Sequence, residues 1–71
     1  MTPLDYDFLR KLLKQRSGLL LSADKQYLVE SRLLPVARRL GLANLSALVV
    51  ELKGQKAETL IVEVVEAMMT N

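Results

Sequence analysis

Residues 22–41 read Ser-Ala-Asp-Lys-Gln-Tyr-Leu-Val-Glu-Ser-Arg-Leu-Leu-Pro-Val-Ala-Arg-Arg-Leu-Gly. Val29, Leu33, Val36, Ala37 and Leu40 recur at three- and four-residue steps, the spacing that places side chains on one face of an α-helix. Ser22 stands where a helix cap is needed, Ala23-Asp24-Lys25 form the first turn, and Gly41 ends the element. Lys25, Arg32 and Arg39 lie seven residues apart, close to two helical turns. The three cations therefore stack as a stripe bordering the apolar face, with Arg38 beside it. Pro35 falls inside the pattern. It removes one backbone hydrogen bond, frees the Ser31 carbonyl, and is expected to kink or split the helix.

Before this stretch, Thr2, Pro3 and the acids Asp5 and Asp7 mark the start of a first helix. Leu4, Phe8 and Leu12, with Leu9 and Leu13, supply its apolar stripe, and Ser17-Gly18 ends it. Leu19-Leu20-Leu21 is a short apolar connector expected to fold back onto the core. After Gly41, Asn44 caps a short third helix through Leu45, Leu48, Val49 and Leu52, stopped by Gly54. A fourth helix runs from about Lys56 to Met69, with Leu60, Ile61, Val64, Val65 and Met68 inside and Glu58, Glu63 and Glu66 outside. Alternation of the strand kind is absent. The reading is an all-α fold, one small domain over residues 1–71 built as a bundle of about four helices.

Composition narrows the chemistry. The 71 residues are 51% hydrophobic with only three aromatics, so the core is aliphatic. A chain this short buries only about 60% of its unfolded surface, which leaves a thin margin of stability. With no cysteine and no histidine, disulfides, the usual zinc sites and thiol or imidazole catalysis are excluded. Ten basic against eight acidic residues give a net charge of +2, mild for a nucleic-acid binder. No apolar run reaches the roughly 18 residues of a membrane span, and Met1-Thr2-Pro3-Leu4-Asp5 does not resemble a secretory signal. A cytoplasmic location is expected. The chain stops at Met69-Thr70-Asn71 on a helix end, as a piece cut from a longer protein would.

The basic stripe has two readings. Lysine and arginine stems often cover the edge of a core while their charges stay solvated. Alternatively the stripe is a surface for an anionic partner. On a straight helix Leu28 falls among the cations, either as a contact for that partner or packed under the connector. Lys25 opposes the helix dipole, and Glu30 and Glu58 are its candidate counter-charges. Arg10, Lys11 and Lys14 follow Asp7 at three, four and seven residues, which reads as local ion pairing. Tyr6 and Tyr27 read as rim-of-core residues, and Glu63 with Glu66 as a solvated face.

The string Gly18-Leu19-Leu20-Leu21, then Lys25, Leu28-Val29 and Arg32-Leu33, resembles G-(I/L)-x-L-x-x-x-K-x-x-L-V-x-x-R-L. Arg38-Arg39-Leu40-Gly41-Leu42 and the terminal Glu66-Ala67-Met68-Met69-Thr70-Asn71 follow in order. Together they are similar to the N-terminal helical domain of the chemotaxis receptor methyltransferases, the CheR family. The resemblance implies a cytoplasmic enzyme that moves a methyl group from S-adenosylmethionine to glutamates on chemoreceptor helices. It implies a helical domain joined to a larger α/β catalytic domain, and a basic second helix that docks the receptor's acidic methylation region. By position Arg32 matches the arginine of the R-L motif and Arg38 a second basic position; with Lys25, Leu28 and Arg39 of the stripe they make up the expected receptor-binding residues, and Asn71 matches an asparagine of the cofactor pocket. Two departures stand out. Leu34-Pro35-Val36 replaces a continuation of the basic run, and Met69 occupies the place of the first threonine in the family's T-T-N. Without a domain to hold the methyl donor, residues 1–71 alone are expected to be inert.

Two other functions compete. A basic helix after a turn can enter a DNA groove, but the low charge, Glu30 in the same helix and the lack of base-reading amides among the arginines oppose it. A plain interaction domain, self-associating through Val50, Val62 and Met69, is the other.

Overall fold

The computed structural model describes residues 1–54 and 57–69. Four α-helices follow in order: α1 (Pro3–Ser17), α2 (Gln26–Arg39), α3 (Leu45–Leu52) and α4 (Glu58–Met69), with a 3-10 turn at Ala23–Lys25. No strand occurs among the described residues. The all-α reading holds.

Each helix starts and stops for a local reason. Asp5 N–H donates to Thr2 Oγ1 and Thr2 N–H donates to Asp5 Oδ2, at 3.1 and 3.2 Å, a reciprocal capping box. Gly18 closes α1 with φ 75°, a left-handed conformation that glycine adopts without a Cβ clash, and its N–H reaches the Lys14 carbonyl at 2.9 Å. Gly41, at φ 76°, closes α2 in a Schellman arrangement. There Leu42 N–H donates to the Ala37 carbonyl at 2.8 Å and Gly41 N–H to that of Arg38 at 3.0 Å. Asn44 Oδ1 accepts from Ala47 N–H at 2.9 Å and starts α3. Ser22 does not cap α2. Its hydroxyl donates to Asp24 inside the 3-10 turn, and the α-helix begins only at Gln26. The fourth helix starts later than expected, at Glu58, with the Ala57 carbonyl accepting from Ile61. Lys56 lies outside the described residues.

Pro35 does not split α2, which is unbroken from Gln26 to Arg39. A proline inside a helix costs about 3 kcal/mol. Val29 and Leu33 before it, and Val36 and Ala37 after it, are all buried. Fully burying a large aliphatic side chain contributes about 1.5–3 kcal/mol, so packing on both sides keeps the helix continuous. Pro35 and Ser31 are exposed, which leaves the freed Ser31 carbonyl to water.

The core joins Leu9 and Leu13 of α1, the α2 face, Leu48 and Val49 of α3, and Val64 of α4, all essentially inaccessible. Helix α2 is the centre and packs on both α3 and α4, while α1 closes over α3 and α4. Three positions differ from the periodic reading; one is Leu40, read as part of the inward face of α2 and 46% exposed. Leu4 is 81% exposed, because five residues before Leu9 is about 140° around a helix from the inward face. Tyr6, three residues before Leu9, takes the inward place. It is only 5% exposed, and its hydroxyl donates to the Ser22 carbonyl at 2.7 Å. Tyr27 stays outside. Of the connector, Leu21 is buried, Leu19 half-buried and Leu20 exposed.

Candidate functional site

The seven-residue spacing of Arg32 and Arg39 sets both on the flank of α2 that meets α4. Arg32 is half-buried, and its Nη1 donates to the Met68 carbonyl in the last turn of α4 at 2.6 Å. The last carbonyls of a helix have no partner within it, so a guanidinium arriving from a neighbouring helix satisfies one of them and meets the negative end of the dipole. Arg39 forms an ion pair with Glu63. Seven residues forward along α2 thus correspond to five back along α4, and the two helices run antiparallel.

Lys25 and Arg38 face the solvent. Lys25 occupies the cap position of α2, where its charge acts on the neighbouring Asp24. The Asp24 carboxyl lies below the ordinary aspartate value, chiefly because it accepts from the Ser22 hydroxyl, with Lys25 adding a smaller effect. Neither expected partner reaches Lys25. Glu30 accepts from Gln26 Nε2 at 3.3 Å, and Glu58 is gripped by both Nη groups of Arg16 at 2.8 Å. Arg38 is turned about 100° around the helix from Arg39, off the flank, and forms no ion pair among the described residues. Leu28 is half-buried beside this flank. The structure therefore brings Arg32, Arg39 and α4 together and leaves Lys25 and Arg38 outward. Asn71 lies outside the described residues.

On α1 only Lys11 pairs with Asp7, at 3.0 Å. Arg10 instead donates through Nε to the Leu21 carbonyl at 2.8 Å, with its guanidinium carbon 5.8 Å from the Tyr6 ring centroid. Asp5, besides capping α1, accepts from the Ser46 hydroxyl of α3 at 2.6 Å, which with the Thr2 N–H holds its carboxyl below the usual 3.8. Sequence reasoning missed the Arg10–Leu21 and Asp5–Ser46 contacts because they join residues 11 and 41 positions apart, on different elements.

The model of the CheR methyltransferase all-alpha domain matches residues 4–69. The chain belongs to this family. Among characterised relatives it is similar to the chemotaxis protein methyltransferase Cher2 of Pseudomonas putida, 40% identical over 68 residues, which is 96% of this chain and 25% of that protein. A chemotaxis protein methyltransferase of Vibrio parahaemolyticus is 36% identical over 67 residues, covering 94% of this chain and 24% of its own length. This CheR all-alpha domain thus spans about a quarter of the relatives it matches. No solved structure gives a significant match. Among the described residues no helix is long and apolar enough to cross a membrane.

Proposed function

We propose that this chain is the helical, receptor-docking part of a chemotaxis methyltransferase that acts in the cytoplasm. The parent enzyme carries a methyl group from S-adenosylmethionine to glutamate side chains of a chemoreceptor, and its α/β catalytic domain supplies the chemistry. Residues 1–69 take no step in the transfer. Their work is to place the acidic methylation helices of the receptor against α2. The observation that carries the reading is the family match over residues 4–69, and the outward cations of α2 support it.

Within that reading the five docking residues divide. Lys25 and Arg38 are open to a receptor carboxylate at once. Arg39 exchanges Glu63 for it, and Arg32 steadies the seam while bordering the contact. Leu28 gives the surface an apolar point. Asn71 completes the cofactor pocket once the catalytic domain follows.

The test is an NMR titration of the labelled chain with a receptor cytoplasmic fragment, with the Lys25→Glu/Arg38→Glu double variant alongside. Exposed ion pairs contribute about 0.2–1 kcal/mol each, so reversing two charges should weaken binding by about five-fold or more. The wild-type affinity should also fall with salt, since screening acts over about 8 Å at physiological ionic strength. Unchanged affinity in the double variant would remove these two residues from the docking surface. Failure of the wild type to bind the fragment would remove the reading.

A further inference from the structure

A groove of about 250 Å³ runs between the outer side of α1 and the Leu19–Leu21 connector, away from the flank of α2 described above. Arg10, Lys11 and Lys14 line it, together with Asp7 and Leu20. Exposed lysines and a single exposed leucine are ordinary on a protein surface. What sets this groove apart is an arginine held in place before any partner arrives. The Nε of Arg10 is fixed on the Leu21 carbonyl at 2.8 Å, and its guanidinium lies by the Tyr6 ring. Its two Nη groups form no hydrogen bond among the described residues. Four residues on, one turn further along α1, Lys14 is exposed and forms no ion pair among the described residues. Lys11 is occupied by Asp7. Leu20, 74% exposed, adds an apolar wall.

Size and charge select the occupant. Ligand pockets for whole small molecules span about 300–1,000 Å³. At about 250 Å³ the groove is below that range and suits one or two side chains. A guanidinium whose two Nη groups are open matches a carboxylate in two-pronged fashion. Asp7 and Lys11 offset each other as an ion pair, so the open charge of the groove is that of Arg10 and Lys14. A carboxylate beside an aliphatic side chain fits these features best.

We propose that this groove is a second docking surface, for an acidic peptide segment in which a glutamate or aspartate stands next to an aliphatic residue. The carboxylate binds Arg10 Nη and the Lys14 ammonium, and the aliphatic side chain lies on Leu20. The surface shares no residue with the α2 flank, so it stands or falls separately from the receptor-docking reading.

The probe is the capped tetrapeptide acetyl-Glu-Leu-Glu-Leu-amide, titrated at low salt into the isotope-labelled chain and followed by NMR. Its glutamine counterpart, acetyl-Gln-Leu-Gln-Leu-amide, is the control. The expected result is a set of amide shifts gathered at Lys14 and Leu19–Leu21, with affinity at least about five-fold lower for the glutamine peptide and for the Lys14→Glu variant. The Lys14 side chain is exposed and forms no ion pair among the described residues, so this variant leaves the bundle intact. Arg10→Lys keeps the charge and loses the fork, and should also bind more weakly while the connector shifts report whether Leu21 has moved. Three results would overturn the proposal: no shifts at millimolar peptide, shifts scattered over all basic residues or confined to α2, or equal affinity for the two peptides or for Lys14→Glu.

Discussion

Two arginines of this domain do the same thing in different settings. Arg10 holds the Leu21 carbonyl in the connector at 2.8 Å, and Arg32 holds the Met68 carbonyl at the end of α4 at 2.6 Å. In the connector a second side chain grips the next residue, since Tyr6 donates to the Ser22 carbonyl at 2.7 Å. At the end of α4 Arg32 holds the Met68 carbonyl from across the helix pairing, and the neighbouring Arg39–Glu63 pair lies further along the seam. The comparison teaches that helical spacing assigns a cation to a face but not to a task. Arg32 and Arg39 belong to one stripe with Lys25, yet two of the three turn to α4.

The largest expected effect in this comparison comes from Arg32→Gln. Hydrogen bonds to charged groups contribute about 1.5–3 kcal/mol. Thermal unfolding followed by circular dichroism should show a loss in that range, and for a domain of this size each kcal/mol moves Tm by roughly 4–8 °C. Arg10→Gln should cost less, because Tyr6 still holds the connector. Equal losses in the two variants would break the comparison.

Next in size is Tyr6→Phe, which removes a neutral hydrogen bond worth about 0.5–1.5 kcal/mol. Combined with Arg10→Gln, it should lose more than the sum of the two single changes, since each group backs up the other. Simple additivity would mean that the connector is held at two independent points. Glu63→Gln comes third. The pair is mostly exposed, so its removal should cost less than about 1 kcal/mol. The same change frees Arg39, and a receptor-fragment titration should show tighter binding at low salt. Weaker binding would mean that Arg39 is not part of the docking surface.

The smallest effect is a pH dependence. Asp5 is held below 3.8 by the Ser46 hydroxyl and the Thr2 N–H, so its folded value is depressed relative to the unfolded one. Its contribution is present above the unfolded value and is lost as pH falls through the folded value, a window below about pH 4. Asp5→Asn should flatten the stability profile in that window, measured by melts across the acid range. An unchanged slope would assign the acid sensitivity to other carboxylates.

The helices were legible in the sequence because their signals are local. Thr2 with Asp5, Gly18, Gly41 and Asn44 each act within a few residues, and each does as its chemistry suggests. The expected split at Pro35 does not occur, because the helix is buried on both sides of it and packing outweighs the propensity rule. Tyr6 and Leu4 exchanged places because several apolar residues crowd the first turns of α1, and the periodic stripe does not say which row faces inward. The α2 cations were legible as a group but not as individuals. Their partners, the Met68 carbonyl and Glu63, lie across a helix pairing whose register depends on the assembled core.

The polar pins also bear on the order of events in folding. They join residues 36, 41 and 42 positions apart: Arg32 with Met68, Asp5 with Ser46, and Arg16 with Glu58. Helices form from neighbours in the chain, whereas contacts this distant wait for loop closure. Interactions that form after the barrier slow unfolding and leave the folding rate nearly untouched. The pins therefore act as latches: removing them should shorten the lifetime of the native state while the chain still folds about as fast as before.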